Sequence, residues 1–160
     1  MFSIFKRTKK NSIELLDSQL FDEQKFYKVF LNDIEHAKKE VIIESPFITK
    51  NRANMLIPNL KNLVQKGIKV FVITRDPEKH DEVLARQAEK IICFFEAIGV
   101  QVFLSTGNPH RKLAIIDREI LWEGSLNILS QTKSREIMRR TQSKRLALEM
   151  FTFANYKKCI

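Results

Sequence analysis

Four short runs of nearly continuous apolar residues recur along this chain, and segments of helical periodicity separate the first three. The runs start at residues 41, 68, 100 and 112 and read VIIESPFIT, IKVFVIT, VQVFLS and KLAIID. An unbroken apolar run of this length is typical of a strand that is covered on both faces. Strands that alternate with helices predict an α/β fold, with a mixed, mainly parallel β-sheet flanked by helices on both faces.

The helical segments are recognised by their apolar stripes and by the residues at their ends. Asp22 is expected to cap a helix that continues to about Lys39. The other predicted helices cover residues 52–66, 84–98 and 142–157. Two further strands are predicted after the fourth run, with the sequences EILWEG and SREIMRRT.

The charge balance favours a polyanionic partner. The chain has 28 Lys and Arg against 19 Asp and Glu, which gives a formal net charge of +9. Nucleic acid fits such an excess first and an acidic membrane surface second, although many basic domains bind neither.

Other sequence features favour an intracellular protein. The two cysteines, Cys93 and Cys159, are not part of a Cys-x-x-Cys pair, which predicts no zinc site and fits a reducing compartment. The opening MFSIFKRTKK lacks the apolar core of a signal peptide, and no stretch approaches the length of a bilayer span. We therefore expect a cytoplasmic location and no membrane partner.

Polar residues whose side chains could take part in catalysis surround the fourth apolar run. His110 and Lys112 are two residues apart, so their side chains point to the same face of a strand. The chain is then expected to reverse tightly, and the next strand ends at Gly124, where a glycine permits a close turn. Ser125 and Asn127 follow and would lie beside the end of the first strand. One nucleophile or base, one cation and two hydrogen-bond donors would thus converge, as phosphoryl transfer requires.

The spacing of these residues resembles the HKD signature of the phospholipase D superfamily. The signature is His-x-Lys, four residues, Asp, six residues and Gly-Ser-x-Asn, and its positions here are His110, Lys112, Asp117, Gly124, Ser125 and Asn127. The resemblance covers residues 23–157 and is sharp only in 110–141. It implies a phospholipase D/nuclease-like α/β/α sandwich, with residues 1–20 as a basic arm and 21–160 as the catalytic domain. Asp117 stands at the predicted turn, which favours a structural hydrogen bond over a direct catalytic role.

The chain carries a single copy of this motif, whereas the resemblance implies two motifs in each active site. His36 is followed by Lys38, but it lies on a predicted helix with no Gly-Ser-x-Asn beyond it, so we interpret it as a chance match. A homodimer with one site shared by two protomers is therefore implied. Superfamily members that act on nucleic acids carry a glutamate soon after the asparagine, and Glu136 holds that place here.

The resemblance also implies a two-step reaction without a metal or a cofactor. His110 of one protomer attacks phosphorus and forms a phosphohistidine, while His110 of the other protonates the leaving oxygen and then activates water. Lys112, Ser125 and Asn127 would hold the phosphoryl oxygens. Glu136 would accept a hydrogen bond from the far ring nitrogen of a histidine and fix its tautomer.

A group of basic residues follows the motif and is the candidate nucleic-acid contact. Its members are Arg135, Arg139, Arg140, Lys144 and Arg145. They form either a solvated protein face or a track for a nucleic-acid backbone beside the site. For Trp122, a role in the hydrophobic core is favoured over a role as a platform on which a base stacks.

Three functions remain open on the sequence alone. The leading hypothesis is a metal-independent phosphodiesterase that acts as an endonuclease on DNA or RNA, with DNA ahead of RNA. The second is a phospholipase or phosphatidyl transferase, because the chemistry is the same. The third is a non-catalytic nucleic-acid-binding module of a repair or defence complex, in which a helicase or another subunit would be the partner.

Overall fold

The computed structural model describes residues 16–79, 81–105 and 109–160. Over these residues the chain forms one sheet of seven strands, in the order β1-β7-β6-β5-β2-β3-β4. The strands are β1 Asp17–Asp22, β2 Glu40–Glu44, β3 Lys69–Arg75, β4 Gln101–Ser105, β5 Leu113–Ile116, β6 Ile120–Gly124 and β7 Ile137–Gln142.

Helices cover both faces of this sheet, as the sequence predicts. They are α1 Phe26–Glu35, α2 Lys50–Gln65, α3 Glu82–Ala97 and α4 Lys144–Phe153. Successive residues of the inner strands point to opposite faces, so Ala114 packs in the core under α1, α2 and α3, while Ile115 packs in the core under α4. The apolar runs of β2, β3 and β5 are unbroken because these strands are buried on both faces, whereas the edge strand β4 is partly exposed. In the part of the chain that the structure describes, no helix is both long and apolar enough to span a bilayer.

The sheet is mixed, but the expectation that it is mainly parallel is wrong. Only β2–β3 and β3–β4 are parallel, whereas β1–β7, β7–β6, β6–β5 and β5–β2 are antiparallel. Parallel neighbours need a crossover, which α2 and α3 provide. The chain passes from β5 to β6 and from β6 to β7 without a helix, so these strands run antiparallel. A continuous apolar run indicates that a strand is buried on both faces, but it does not indicate whether the adjacent strand is parallel or antiparallel.

The strand β1 was not predicted, and it shortens the expected basic arm. Residues 17–20, which the sequence analysis placed in the arm, pair with β7 at the edge of the sheet. Most of β1 is exposed, so it has no continuous apolar run to reveal it. Residues 1–15 of the expected arm lie outside the described residues.

The ends of α1 also differ from the prediction. Asp22 ends β1, and its carboxylate accepts a hydrogen bond from the N–H of Lys25, the residue before the helix. The helix stops at Glu35, earlier than the predicted Lys39, because residues 38–40 turn to begin β2 and bind a carboxylate described below.

A buried ion pair joins α1 to the antiparallel half of the sheet. Asp33 of α1 is 7% exposed and accepts hydrogen bonds from Arg140 Nε at 2.7 Å and Nη2 at 3.0 Å. The same carboxylate accepts a bond from Trp122 Nε1 at 2.8 Å. Trp122 is fully buried, which confirms its interpretation as a core residue.

We expect Asp33→Ala to lower the free energy of unfolding by about 3–5 kcal/mol, because it leaves the Arg140 charge and the Trp122 N–H buried without their partner. Denaturation by urea, followed by Trp122 fluorescence, measures the change. Glu35→Ala is the matched control, since Glu35 is exposed on the same helix. An equal loss in both variants would contradict the assignment of the stability to this ion pair.

Candidate active site

The β5–β6 hairpin positions the motif. Its turn is closed by a hydrogen bond from the N–H of Glu119 to the oxygen of Ile116 at 2.9 Å. The two central residues, Asp117 and Arg118, have φ of 54° and 56°. This is the geometry of a two-residue type I′ turn, whose twist matches that of the flanking strands. The predicted tight reversal is therefore present.

Asp117 anchors this turn to the rest of the sheet. Its carboxylate accepts hydrogen bonds from the backbone N–H groups of Lys38, Lys39 and Glu40 at 2.7 to 3.2 Å. Three donors offset the cost of the left-handed backbone at a residue with a side chain. Asp117 lies five residues beyond Lys112, or roughly 16 Å along an extended strand. It therefore holds the fold together at the opposite end of β5 from the other motif residues.

His110 and Lys112 lie directly before β5, which begins at Leu113 and not at Lys112 as predicted. The His110 side chain is exposed, and Lys112 is half-buried. Lys112 Nζ donates a hydrogen bond to the backbone oxygen of His110 at 2.7 Å. Across the hairpin, the N–H of Gly124 donates to the oxygen of Lys112 at 3.2 Å, which places the end of β6 beside the start of β5.

Ser125 continues this arrangement to the start of β7. Its N–H donates to the oxygen of Ile137 at 3.0 Å, and its Oγ accepts a bond from the N–H of Ile137 at 3.1 Å. Glu136 precedes Ile137 and is half-buried. Lys112, Ser125 and Glu136 therefore lie at one end of three neighbouring strands, which are spaced about 4.8 Å apart. Among the described residues, Glu136 makes no hydrogen bond to a histidine ring, so its expected role stays a prediction.

Asn127 lies in a short turn whose apolar neighbours are fully buried. Leu126 and Ile128 are 0% exposed and fix the path of the chain on each side. The backbone oxygen of Asn127 accepts bonds from the N–H groups of Ser130 and Gln131 at 3.0 and 2.8 Å. Its side-chain Oδ1 is buried and has no hydrogen-bond partner among the described residues. A buried acceptor oxygen without a partner is uncommon in proteins, and this atom can accept one further hydrogen bond.

The glycine of the motif is required for a different reason from the one predicted. Gly124 does not have a positive φ, so it is not needed for an unusual turn. A Cβ at this position would lie 2.1 Å from the backbone oxygen of Ile137 and 2.9 Å from Cα of Met138. Gly124 therefore allows β6 and β7 to approach where the motif leaves the sheet.

A buried network that the sequence analysis missed holds the residue between His110 and Lys112. Arg111 Nε donates to both oxygens of Glu44, at 3.0 and 3.1 Å. The Glu44 side chain is only 2% exposed, and it also accepts a hydrogen bond from the hydroxyl of Tyr156. Burial, followed by the negative charge of Glu44, raises the pKa of Tyr156 and keeps this hydroxyl a donor. The available signal was a glutamate inside the otherwise apolar run VIIESPFIT.

The basic residues after the motif do not form one continuous track. Arg140 is bound to Asp33, and its side chain is only 15% exposed, so its assignment to nucleic-acid contact is corrected to a structural role. This hydrogen bond with Asp33 raises the pKa of Arg140. Arg139 points to the other face and donates to Ser18 at 3.1 Å. Arg145 pairs with Glu149 on α4. The remaining members, which are exposed, are Arg135 and Lys144.

One family model matches most of the chain. Residues 30–155 match the family described as cardiolipin synthase, PLD-like domain. Cardiolipin synthase A of Buchnera aphidicola subsp. Acyrthosiphon pisum (strain Tuc7) is 27% identical over 112 residues, which are 68% of this chain and 22% of that protein. The chain therefore spans about a fifth of the length of this curated relative.

Two solved structures share the fold. NucT from Helicobacter pylori has a TM-score of 0.71 at 22% identity, with 89% of this chain and 94% of that chain covered. Nuc from Salmonella typhimurium, a phospholipase D family member, has a TM-score of 0.71 at 17% identity, with 86% and 91% covered. Both are covered over nearly their whole length, so the present chain has the size of one such unit.

We expect Gly124→Ala to destabilise the protein by about 1–3 kcal/mol, because the added methyl group overlaps the β7 backbone. Thermal denaturation measures the loss. Gly67→Asn is the control: Gly67 has a φ of +77° but open space around it, and asparagine tolerates that backbone. Full stability of Gly124→Ala would show that β6 and β7 do not need this close approach.

Proposed function

The chain belongs to the phospholipase D superfamily, and we propose that it is a metal-independent phosphodiesterase that cleaves nucleic acid internally. His110 is the nucleophile, and a second copy of the chain completes the site. The observation that carries this proposal is the convergence of Lys112, Ser125 and Glu136 at one end of adjacent strands, beside an exposed His110. Together with His110 of the second copy, these groups supply the nucleophile, the proton donor and the charge stabilisation that phosphoryl transfer needs.

The reaction proceeds in two steps that conserve the proton count. A ring nitrogen of His110 attacks phosphorus and forms a P–N bond as the P–O bond to the leaving group breaks. The protonated His110 of the second copy gives its proton to the leaving oxygen. This second histidine then takes a proton from water, whose oxygen attacks phosphorus and releases His110.

The surrounding residues hold charge and orientation. Lys112 and the Asn127 amide bind the phosphoryl oxygens, with Ser125 as a further donor. The Glu44–Arg111 pair fixes the backbone between His110 and Lys112, so both side chains keep their direction. Glu136 orients a histidine ring in the assembled dimer.

The substrate class rests on charge. The net charge of +9 favours a strand with many phosphates over a single headgroup. DNA is proposed ahead of RNA, and an internal cut ahead of a cut at a strand end, as in the sequence analysis.

A phospholipid phosphodiester is the second candidate, and one surface favours it. A groove at Lys112 and Gly124 has charged residues and apolar side chains in its lining, and of the apolar ones Leu20 and Ile137 are each 58% exposed and Phe153 is 75% exposed. Such side chains can contact acyl chains. The name of the curated relative, a cardiolipin synthase, points to the same chemistry on lipid.

We expect His110→Ala to abolish cleavage of single-stranded or double-stranded DNA or RNA, while wild type cleaves in excess chelator. The substitution removes an exposed side chain, so the fold is preserved and circular dichroism serves as the control. Vesicles that contain cardiolipin or phosphatidylcholine are tested beside the nucleic acids. Cleavage of lipid alone would favour the second candidate, and binding of DNA without turnover would favour a non-catalytic module. Loss of activity in chelator would contradict metal independence.

A site shared by two copies predicts a quadratic loss of activity on mixing. Wild type and His110→Ala are unfolded together and refolded at defined ratios, so that subunits combine at random. Each mixed dimer has one histidine and is inactive, so activity falls as the square of the wild-type fraction. A linear fall would show that each copy carries a complete site. Light scattering after size exclusion measures the dimer itself.

A further inference from the structure

A polar pocket lies next to the motif, and its lining includes none of the motif residues. It occupies about 600 Å³ between the start of α2, the side of α3 and residues 131–133. Its lining contains three cations, Lys50, Arg52 and Lys133. The described residues that line it include no carboxylate. Such a lining favours an anion.

The amide side chains of the pocket add neutral hydrogen-bonding groups to these cations. Asn51, Gln87 and Gln131 are the members of this kind, although Gln131 Nε2 already donates to the backbone oxygen and the Oγ of Ser134. Gln87 Oε1 accepts a bond from the N–H of Lys50 at 3.3 Å, which joins α3 to the start of α2. Cations with neutral amides between them match a phosphate, which offers several oxygens to donors at once.

Arg52 is held in place before any ligand arrives. Its Nε donates to the backbone oxygen of Gln131 at 2.7 Å. Its guanidinium lies over the ring of Tyr27, 4.3 Å from the centroid. Tyr27 is 7% exposed, and its hydroxyl donates to the oxygen of Ile128 at 2.9 Å. A guanidinium fixed on one side loses little entropy when its remaining N–H groups bind phosphate.

The pocket is connected directly to the motif. The N–H of Gln131 donates to the oxygen of Asn127 at 2.8 Å, so one helix-like turn, roughly 5.4 Å, separates the two residues. The N–H of Thr49 donates to the oxygen of Leu129 at 2.8 Å and ties α2 to the same turn. A chain of phosphates that passes the Asn127 amide is therefore within reach of the pocket.

We propose that this pocket binds a phosphate of a nucleic-acid strand next to the one that is cleaved. The proposal rests on the proposed function, because it takes the scissile phosphate to lie at His110 and Asn127. The pocket makes a strand with consecutive phosphates a better substrate than an isolated phosphodiester. It also gives the nucleic-acid backbone a basic contact, whereas the basic residues after the motif do not form one continuous basic surface.

The test compares two double variants of equal charge. Lys50→Gln with Lys133→Gln removes two exposed cations of the pocket. Lys61→Gln with Lys66→Gln removes two exposed lysines near the other end of α2 and is the control. Each is assayed on a single-stranded oligonucleotide and on bis(p-nitrophenyl) phosphate, which has one phosphodiester. We expect the pocket variant to lose about tenfold or more in kcat/KM on the oligonucleotide, through KM, with the small substrate unaffected.

Binding is measured separately from cleavage. In a His110→Ala background, fluorescence anisotropy gives the dependence of oligonucleotide affinity on salt. Loss of this one phosphate contact should reduce the slope of log K against log salt by about 0.7, and the control should leave it unchanged. This readout holds even if no substrate is turned over, in which case the proposed function fails and the pocket is still tested.

Several results would overturn the inference. Equal losses of kcat/KM on the oligonucleotide in the pocket variant and in the control would show that only the overall charge of the protein matters. Equal losses on both substrates would place the lysines at the scissile phosphate. A loss confined to vesicles that contain cardiolipin, a lipid with two phosphates, would assign the pocket to a headgroup and not to a nucleic-acid strand.

Discussion

The pairing of β2 with β5 is the contact on which the rest of this structure depends. It joins the parallel strands β2, β3 and β4 to the antiparallel strands β5, β6, β7 and β1. Carboxylates secure both ends of this seam. Asp117 binds the backbone before β2 at one end, and Glu44 binds Arg111 and Tyr156 at the other. The register of the seam sets where β5 begins, and so where His110 and Lys112, which directly precede it, leave the sheet.

The residues of the motif have different roles, and these follow from their positions relative to the β2–β5 pairing. Asp117 and Gly124 hold strands in place, one through hydrogen bonds to the neighbouring backbone and the other through the absence of a side chain. The binding and chemical roles proposed above are left to His110, Lys112 and Asn127. The motif is thus a structural unit as well as a chemical one. The number of residues between Lys112 and Gly124 is set by the length of the β5–β6 hairpin that connects them.

The sequence predicts those features that depend on neighbours along the chain. The buried strands, the tight turn at Asp117 and the burial of Trp122 all follow from local patterns. Strand direction does not, because it depends on how segments connect. The roles of Glu44 and Arg140 were missed since their partners, Tyr156 and Asp33, lie 112 and 107 residues away. The strand β1 was missed because an exposed edge needs no apolar run.

The two-residue turn between β5 and β6 also restricts how such a gene can change over time. Substitutions within the hairpin leave its geometry in place when they respect burial. One inserted or deleted codon in either strand would send each following side chain to the opposite face. Within β5, such a change would also shift the carboxylate of Asp117 away from residues 38–40. Descendants of this chain can therefore vary in length in peripheral loops, while the hairpin evolves only by exchange of one residue for another.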